Sequence, residues 1–366
     1  MPIYHHPAVK KAAHYLVRRL EDWMVDLHEV HFPTAAHGLA LNWVIKARSG
    51  LLASIEDAPG RAEIWHGREK ESGDLLRAAY VGNAQAYRAH SPEYLKRILF
   101  GAEDVECAAM RDVAVVSSKQ TGKALAGEAD LVIIEESDAL RWQPEYGSWR
   151  IFPTSVHLIL KYFKYKTWDD IEKGMYLQKR KIRTALRNGL SFEISRSEDD
   201  FDWFYDRMYA PMMEKRHAGY GIIHPKEHVR HQFQHGLLGM VREPGGMPVG
   251  GGLFTLRKKT AALLHTGLLD GDMRWYEFGA SSAMYYHSIR WFYGQQFHYY
   301  NAGGARPFKS DGLYEFKRRW GLKPVKDIWN LRHWLFWVPN GNKTALQWLN
   351  SHENVLEDPK PETALV

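Results

Sequence analysis

Apolar residues recur at three- and four-residue steps through Trp168, Ile171, Met175, Ile182 and Leu186, with Gln178 filling one turn. That spacing predicts one amphipathic helix over Thr167–Asn188, stopped by Gly189. Phe192–Ser195 has the look of a short strand, and Ser197 followed by Asp200 resembles a capping box. Phe201, Phe204, Tyr205, Met208 and Met212 then form the stripe of a helix running to Gly219. A third helix is expected near Pro225–Leu238, with Val229, Phe233 and Leu237 on one face. Strands follow around Gly239–Arg242, Val249–Leu256 and Thr260–Thr266, divided by turns at Pro244-Gly245-Gly246 and Arg257-Lys258-Lys259. A helix near Ser281–Tyr293, a strand at Phe297–Tyr300, a glycine loop, a short helix at Gly312–Trp320 and a strand near Trp334–Val338 close the unit. The first half is less legible: helices near Ala8–Asp26 and Pro92–Phe100, and a strand at Asp130–Ile134. The element order implies an α/β (α+β) architecture of mixed, largely antiparallel sheets flanked by helices, not a doubly wound sheet.

The chain of 366 residues is 45% apolar, enough for two domains with real cores. Its lone cysteine, Cys107, excludes an internal disulfide, a cysteine zinc finger and a CxxC redox pair. Neither a secretory leader nor a spanning run of apolar residues is visible, so a cytoplasmic protein without stable membrane insertion is expected. The net charge of +6 is unevenly placed. Lys161–Gly189 carries nine Lys and Arg against three carboxylates, and Gly303–Lys326 carries seven against two. Two basic segments therefore sit on an acidic remainder, and an anionic partner belongs at them.

The densest chemistry is Asn301-Ala302-Gly303-Gly304-Ala305-Arg306-Pro307-Phe308-Lys309-Ser310-Asp311-Gly312-Leu313-Tyr314-Glu315-Phe316-Lys317-Arg318-Arg319-Trp320-Gly321. A strand, a glycine loop and a helix start in that order would aim backbone N–H groups near Asp311–Leu313 at an anion. Lys317, a turn further on, would add a fixed cation able to stabilise an oxyanion. Lys179, Arg183 and Arg187 share a helix face that suits phosphates or is simply solvated. His224, His228, His231 and His235 repeat at helical spacing, yet His231–His235 lacks the Glu of a zinc-protease motif, so no metal site is expected. His265 is either a base facing a cleft or a hydrogen-bonded core histidine, and Glu277 and Asp311 are carboxylate alternatives. Gly279-Ala280-Ser281-Ser282-Ala283 is no nucleophile elbow, and Gly245–Gly252 is no phosphate-binding P-loop.

Lys179–Leu190, Asp199–Gly219 and above all Asp311-Gly312-Leu313-Tyr314-Glu315-Phe316-Lys317-Arg318-Arg319-Trp320-Gly321 resemble the FemAB/FemX-like, CelD-type branch of the GNAT acyltransferase superfamily. The resemblance spans roughly residues 150–335 and implies two tandem GNAT-like domains: a degenerate one at 1–160 and a transferase domain at 161–340. A C-terminal helix and loose tail would take 341–366. It further implies an acyl- or aminoacyl-transferase acting on an amine, with a cell-wall or exopolysaccharide precursor as acceptor. Lys317 of the Phe316-Lys317 pair would stabilise the transition state, with His265, Asp311 or Glu277 as base. Lys179, Arg183, Arg187, Arg306, Asn301 and Tyr314 would hold substrate. Trp275–Ala283 lacks the Arg/Gln-x-x-Gly-x-Gly/Ala signature that grips coenzyme A, so acyl-CoA and aminoacyl-tRNA both stand as donors. A degenerate, non-catalytic pair gripping RNA or an anionic glycan precursor is the competing expectation.

Overall fold

The computed structural model describes residues 60–356, except 84–85, 87–89, 102–104, 114–117, 138–148, 218–222 and 327–331, together with residue 47. The helix expected at Ala8–Asp26 and the tail after Leu356 lie outside the described residues. The chain divides into two compact units: Met1–Val156 with Arg306–Ser310 and Lys326–Val366, and His157–Ala305 with Asp311–Val325.

The first unit holds strands β1 (Gly60–Arg68), β2 (Leu75–Gly82), β3 (Glu106–Val113), β4 (Leu131–Ser137) and β5 (Arg150–Pro153). Helices α1 (Ser91–Phe100) and α2 (Ser118–Leu125) belong with them. The strand read at Trp334–Val338 as the close of the second half is here instead. Arg332–Trp337, labelled β13 because β6–β12 precede it in the chain, pairs antiparallel with both β4 and β5. The sheet order is β3-β1-β2-β4-β13-β5, with the β2–β4 pair parallel. Both faces of its centre are buried, which is why β4 and β13 read as apolar runs rather than alternations. Within this core Glu135 accepts hydrogen bonds from Arg332 Nε (2.6 Å), Tyr80 Oη (2.8 Å) and Trp334 Nε1 (2.8 Å). A carboxylate cut off from water is stable only with such full pairing.

The second unit is a seven-stranded sheet in the order β12-β6-β11-β10-β9-β8-β7. Its strands are β6 (Val156–Lys161), β7 (Ser191–Ser195), β8 (Gly236–Arg242), β9 (Pro248–Arg257), β10 (Thr260–Leu268), β11 (Tyr299–Ala305) and β12 (Lys323–Lys326). β7 to β10 form an antiparallel meander, and β11 joins β10 in parallel. Together the units realise the expected architecture of two mixed sheets with helices packed on them.

Two helices depart from the periodicity. The stretch 167–188 is not one helix but α3 (Trp168–Gly174), a 3-10 turn at Tyr176–Gln178 and α4 (Lys179–Arg187). Ile171, Met175, Gln178, Ile182 and Ala185 face inward, whereas Leu186 is 48% exposed. The capping box lies at Thr167 and Asp170; Ser197 makes no side-chain cap, and Arg242 holds the Asp200 carboxylate at 2.9 Å. The next helix reads α5 (Glu198–Phe204), a π-helical segment at Tyr205–Tyr209 and α6 (Ala210–His217). Pro211 explains the widening: it has no N–H to offer one turn back, and its ring would collide with the carbonyl of Arg207 in a regular helix. Helices α7 (Lys226–Gln234), α8 (Met273–Phe278), α9 (Ala280–Gly294) and α10 (Gly312–Arg318) complete the unit, and α11 (Lys343–Ser351) belongs to the first.

Candidate functional site

β10 and β11 share only three paired positions, Thr260–Ala262 with Tyr299–Asn301. Beyond them β10 carries a bulge between Leu263 and His265. β11 turns through Gly303 at φ 78°, where the Asn301 side-chain oxygen accepts the Gly303 N–H at 2.8 Å. The expected glycine loop is thus the second half of a strand that has left its neighbour, with its backbone polar groups in need of partners. Lys317 supplies one: Nζ donates to the Gly304 carbonyl at 2.7 Å. Its side chain is buried, and burial pulls its pKa down to about 7, with nearby Asp311 pulling the other way.

The helix carrying Lys317 is fixed by aromatic packing. Tyr285 of α9 meets Phe316 edge-on at 5.2 Å and stacks on Trp320 at 5.4 Å. Phe316 therefore anchors α10 while its neighbour reaches β11. At the start of α10 the Asp311 carboxylate takes the Tyr314 N–H at 2.8 Å, so that group is spent on the cap. Asp311 is a cap, and Tyr314 is buried.

Further along β10 lies a small open recess lined by Thr266, Gly267, Leu268, Gly251, Met212, Ala280, Ser281 and Met284. It sits against the start of α9, whose cap residue Gly279 is left-handed and provides no side-chain oxygen. A Cβ on Gly279 would come within 3.0 Å of the Ala185 backbone, so glycine is what lets α4 approach this junction. Asn188 donates to the Phe278 carbonyl at 2.8 Å and Lys181 to the Tyr276 hydroxyl at 2.6 Å, pinning the basic helix beside the start of α9. Lys179, Arg183 and Arg187 stay exposed on α4 and form no ion pair with a described residue. A helix N-terminus is a physically apt place for phosphate or for a polarised carbonyl.

His265 resolves as a hydrogen-bonded, buried histidine. Its Nε2 lies 2.7 Å from Oε1 of Gln232, whose Nε2 lies 3.1 Å from His228 Nε2. The amide fixes both roles: His265 carries its proton on Nε2, and His228 accepts there. Burial, then His224 and His228, lower the His265 pKa to about 4. Tyr209 covers its ring at 4.7 Å, and the Tyr205 hydroxyl donates to the His224 carbonyl at 2.8 Å. The π segment aims both tyrosines here; only Pro211 hinted at it in the sequence, and nothing there marked Gln232.

Other expected site residues stand apart. Arg306 belongs to the first unit, where its guanidinium lies 4.7 Å from the Tyr94 ring centre and donates to the Thr154 carbonyl at 3.1 Å. That stacking gives it a packing role. Asn301 spends its side chain on Gly303 and on His157 Nδ1 (2.9 Å), so it shapes β11. Glu277 is exposed on α8. The four-histidine face is divided: His224 precedes α7 and His235 follows it. Among the described residues no group of three metal-ligating side chains could hold an ion, and no helix is long and apolar enough to cross a membrane.

No protein-family profile and no curated protein matches the chain. Solved structures similar to it include FemX, at 14% identity and a TM-score of 0.40, covering 80% of this chain and 87% of that one. L-PGS from Bacillus licheniformis is similar at 12% identity and a TM-score of 0.38, covering 78% and 87%. A GCN5-related N-acetyltransferase from Sphaerobacter thermophilus is similar at 12% identity and a TM-score of 0.33, covering 76% and 75%.

Proposed function

We propose that the second unit is a transferase moving an acyl or aminoacyl group onto an amine by direct attack. Lys317 carries this reading: a buried, hydrogen-bonded lysine poised at a strand opening, on the Phe-Lys pair that prompted the family resemblance. The amine nitrogen bonds to the donor's carbonyl carbon, and the carbonyl electrons move to oxygen. Lys317, with N–H groups left beyond the one given to Gly304, offsets that oxyanion. Its collapse expels a thiolate from acyl-CoA or the ribose oxygen from aminoacyl-tRNA, and the amine proton passes to a base.

His265 stays unprotonated on Nδ1 at neutral pH and has about the basicity of a carboxylate. Asp311 is engaged as a cap, and Glu277 stands in solvent. The start of α9 suits the anionic part of donor or acceptor; Lys179, Arg183 and Arg187, on the outward side of α4, offer a second anion-holding surface, and a cell-wall or glycan precursor amine fits as acceptor. Charged tRNA and acyl-CoA are to be offered separately with a panel of amines and the products weighed by mass spectrometry. A mass gain that vanishes in Lys317→Ala, with the fold intact, supports the reading; unchanged transfer by that variant defeats it. Salt-sensitive binding of RNA or glycan without any product would favour the non-catalytic alternative.

A further inference from the structure

From Lys173 to Phe192 the chain has six cations and not one carboxylate. The segment also presents apolar side chains where water is: Tyr176 is 68% exposed, Leu177 44% and Leu186 48%. Tyr176 and Leu177 form the 3-10 turn between α3 and α4, and the turn is held outward on both sides. Met175 and Gln178 are buried beneath it, and a Cβ on Gly321 would lie 3.3 Å from the Gly174 carbonyl, so the end of α3 just before the turn packs on the chain just past α10. At about 100° per residue, the outward arc of α4 is Arg180, Arg183 and Arg187, flanked by Lys179 and Leu186 on the same side. Ile182 and Ala185 fill the opposite, buried arc.

We propose that this tip and helix dock the protein on an anionic phospholipid bilayer. The proposal rests on the reading of α4 as an anion-holding helix and names the bilayer surface as its partner. Charge complementarity gives the sign: arginines side by side on α4, forming no ion pair with a described residue, match a negative headgroup layer, at about a fivefold gain in affinity per cation. The aliphatic tip separates lipid from nucleic acid. Leu177 and Leu186 gain nothing from a phosphate backbone, whereas a bilayer takes them into its headgroup–acyl boundary, with a tyrosine at its preferred interfacial depth. The tip directly follows Gly174, which meets Gly321 just past the end of α10, so an acceptor presented at the bilayer would arrive beside the helix that carries Lys317.

The test is sedimentation of the full chain with vesicles of phosphatidylcholine alone and of phosphatidylcholine mixed with phosphatidylglycerol. The wild type should pellet only with the mixed vesicles and be released by salt. Arg180→Glu/Arg183→Glu/Arg187→Glu should lower the partition coefficient at least about 100-fold. Tyr176→Ser/Leu177→Ser, which keeps every charge, should weaken it about tenfold or more, with circular dichroism verifying the fold of both variants. Equal binding to both vesicle types, no binding to either, or a tip variant as tight as the wild type overturns the proposal. Displacement from the mixed vesicles by excess RNA, with the tip variant retaining RNA affinity, also overturns it and makes the face a nucleic-acid surface. Vesicle binding requires no turnover, so its failure and the failure of the transfer reading are seen in separate experiments.

Discussion

Lys317 Nζ lies 2.7 Å from the carbonyl oxygen of Gly304, just past the last paired position of β10 and β11. One contact thus meets the needs of a buried ammonium and of a strand that has lost its neighbour. It leaves that ammonium with a pKa of about 7. The linkage follows from the sign. A lysine depressed in the fold binds fewer protons than the unfolded chain between about pH 7 and its ordinary value, so stability rises as pH climbs through that window. Urea midpoints at pH 7 and 9.5 should show that rise in the wild type, and Lys317→Met should lose it. If the ammonium is the catalytic form, turnover in the transfer assay should fall on an alkaline limb near pH 7.

His265 should behave as an acid-labile point of the second unit. Its pKa of about 4 lies below the ordinary histidine value, so the unfolded chain binds the extra proton between about pH 6.5 and 4. Stability is lost as pH falls through that window and levels off below it. His265→Phe should flatten this acid-side loss in thermal melts taken between pH 7 and 4. Gln232→Leu should release the histidine from its fixed Nε2 proton, read as a change in its imidazole nitrogen NMR shifts.

The first unit hangs on one carboxylate. Glu135→Leu would remove the acceptor that Arg332, Tyr80 and Trp334 share. The expected loss is about 3–5 kcal/mol in chemical denaturation. A cost below about 1 kcal/mol would mean that the site relaxes to reach water.

Gly267 marks where β10 touches the π segment. A Cβ there would stand 2.6 Å from the backbone of Met208 and Tyr209, which cannot yield as a flexible side chain would. Gly267→Ala should therefore cost about 1–3 kcal/mol and displace Tyr209 from His265, checked by denaturation and by aromatic ring-current shifts at His265.

The sequence disclosed what local chemistry dictates. Period-two and period-three-to-four runs marked the meander, α7, α9 and α10 within a few residues, and the Phe316-Lys317 pair marked the residue that the fold buries. It failed where a second demand overrode the period. Gly174 and Met175 break a stripe that reads as continuous, and Pro211 forces a widened turn inside another. Charge has the same limit: nothing around Arg306 in the sequence marks its contacts with Tyr94 and Thr154, both distant along the chain.

The sequence by itself settled the two mixed sheets with flanking helices, the absence of an internal disulfide, and the two basic segments. Only the tertiary structure decided that β13 returns to the first sheet, that Asp311 caps a helix, that Gln232 sets the proton of His265, and that Lys317 ends on Gly304. The reason is physical. Propensity and periodicity act over a few residues, while strand pairing, burial and the pKa of a buried group depend on partners that folding brings from far along the chain.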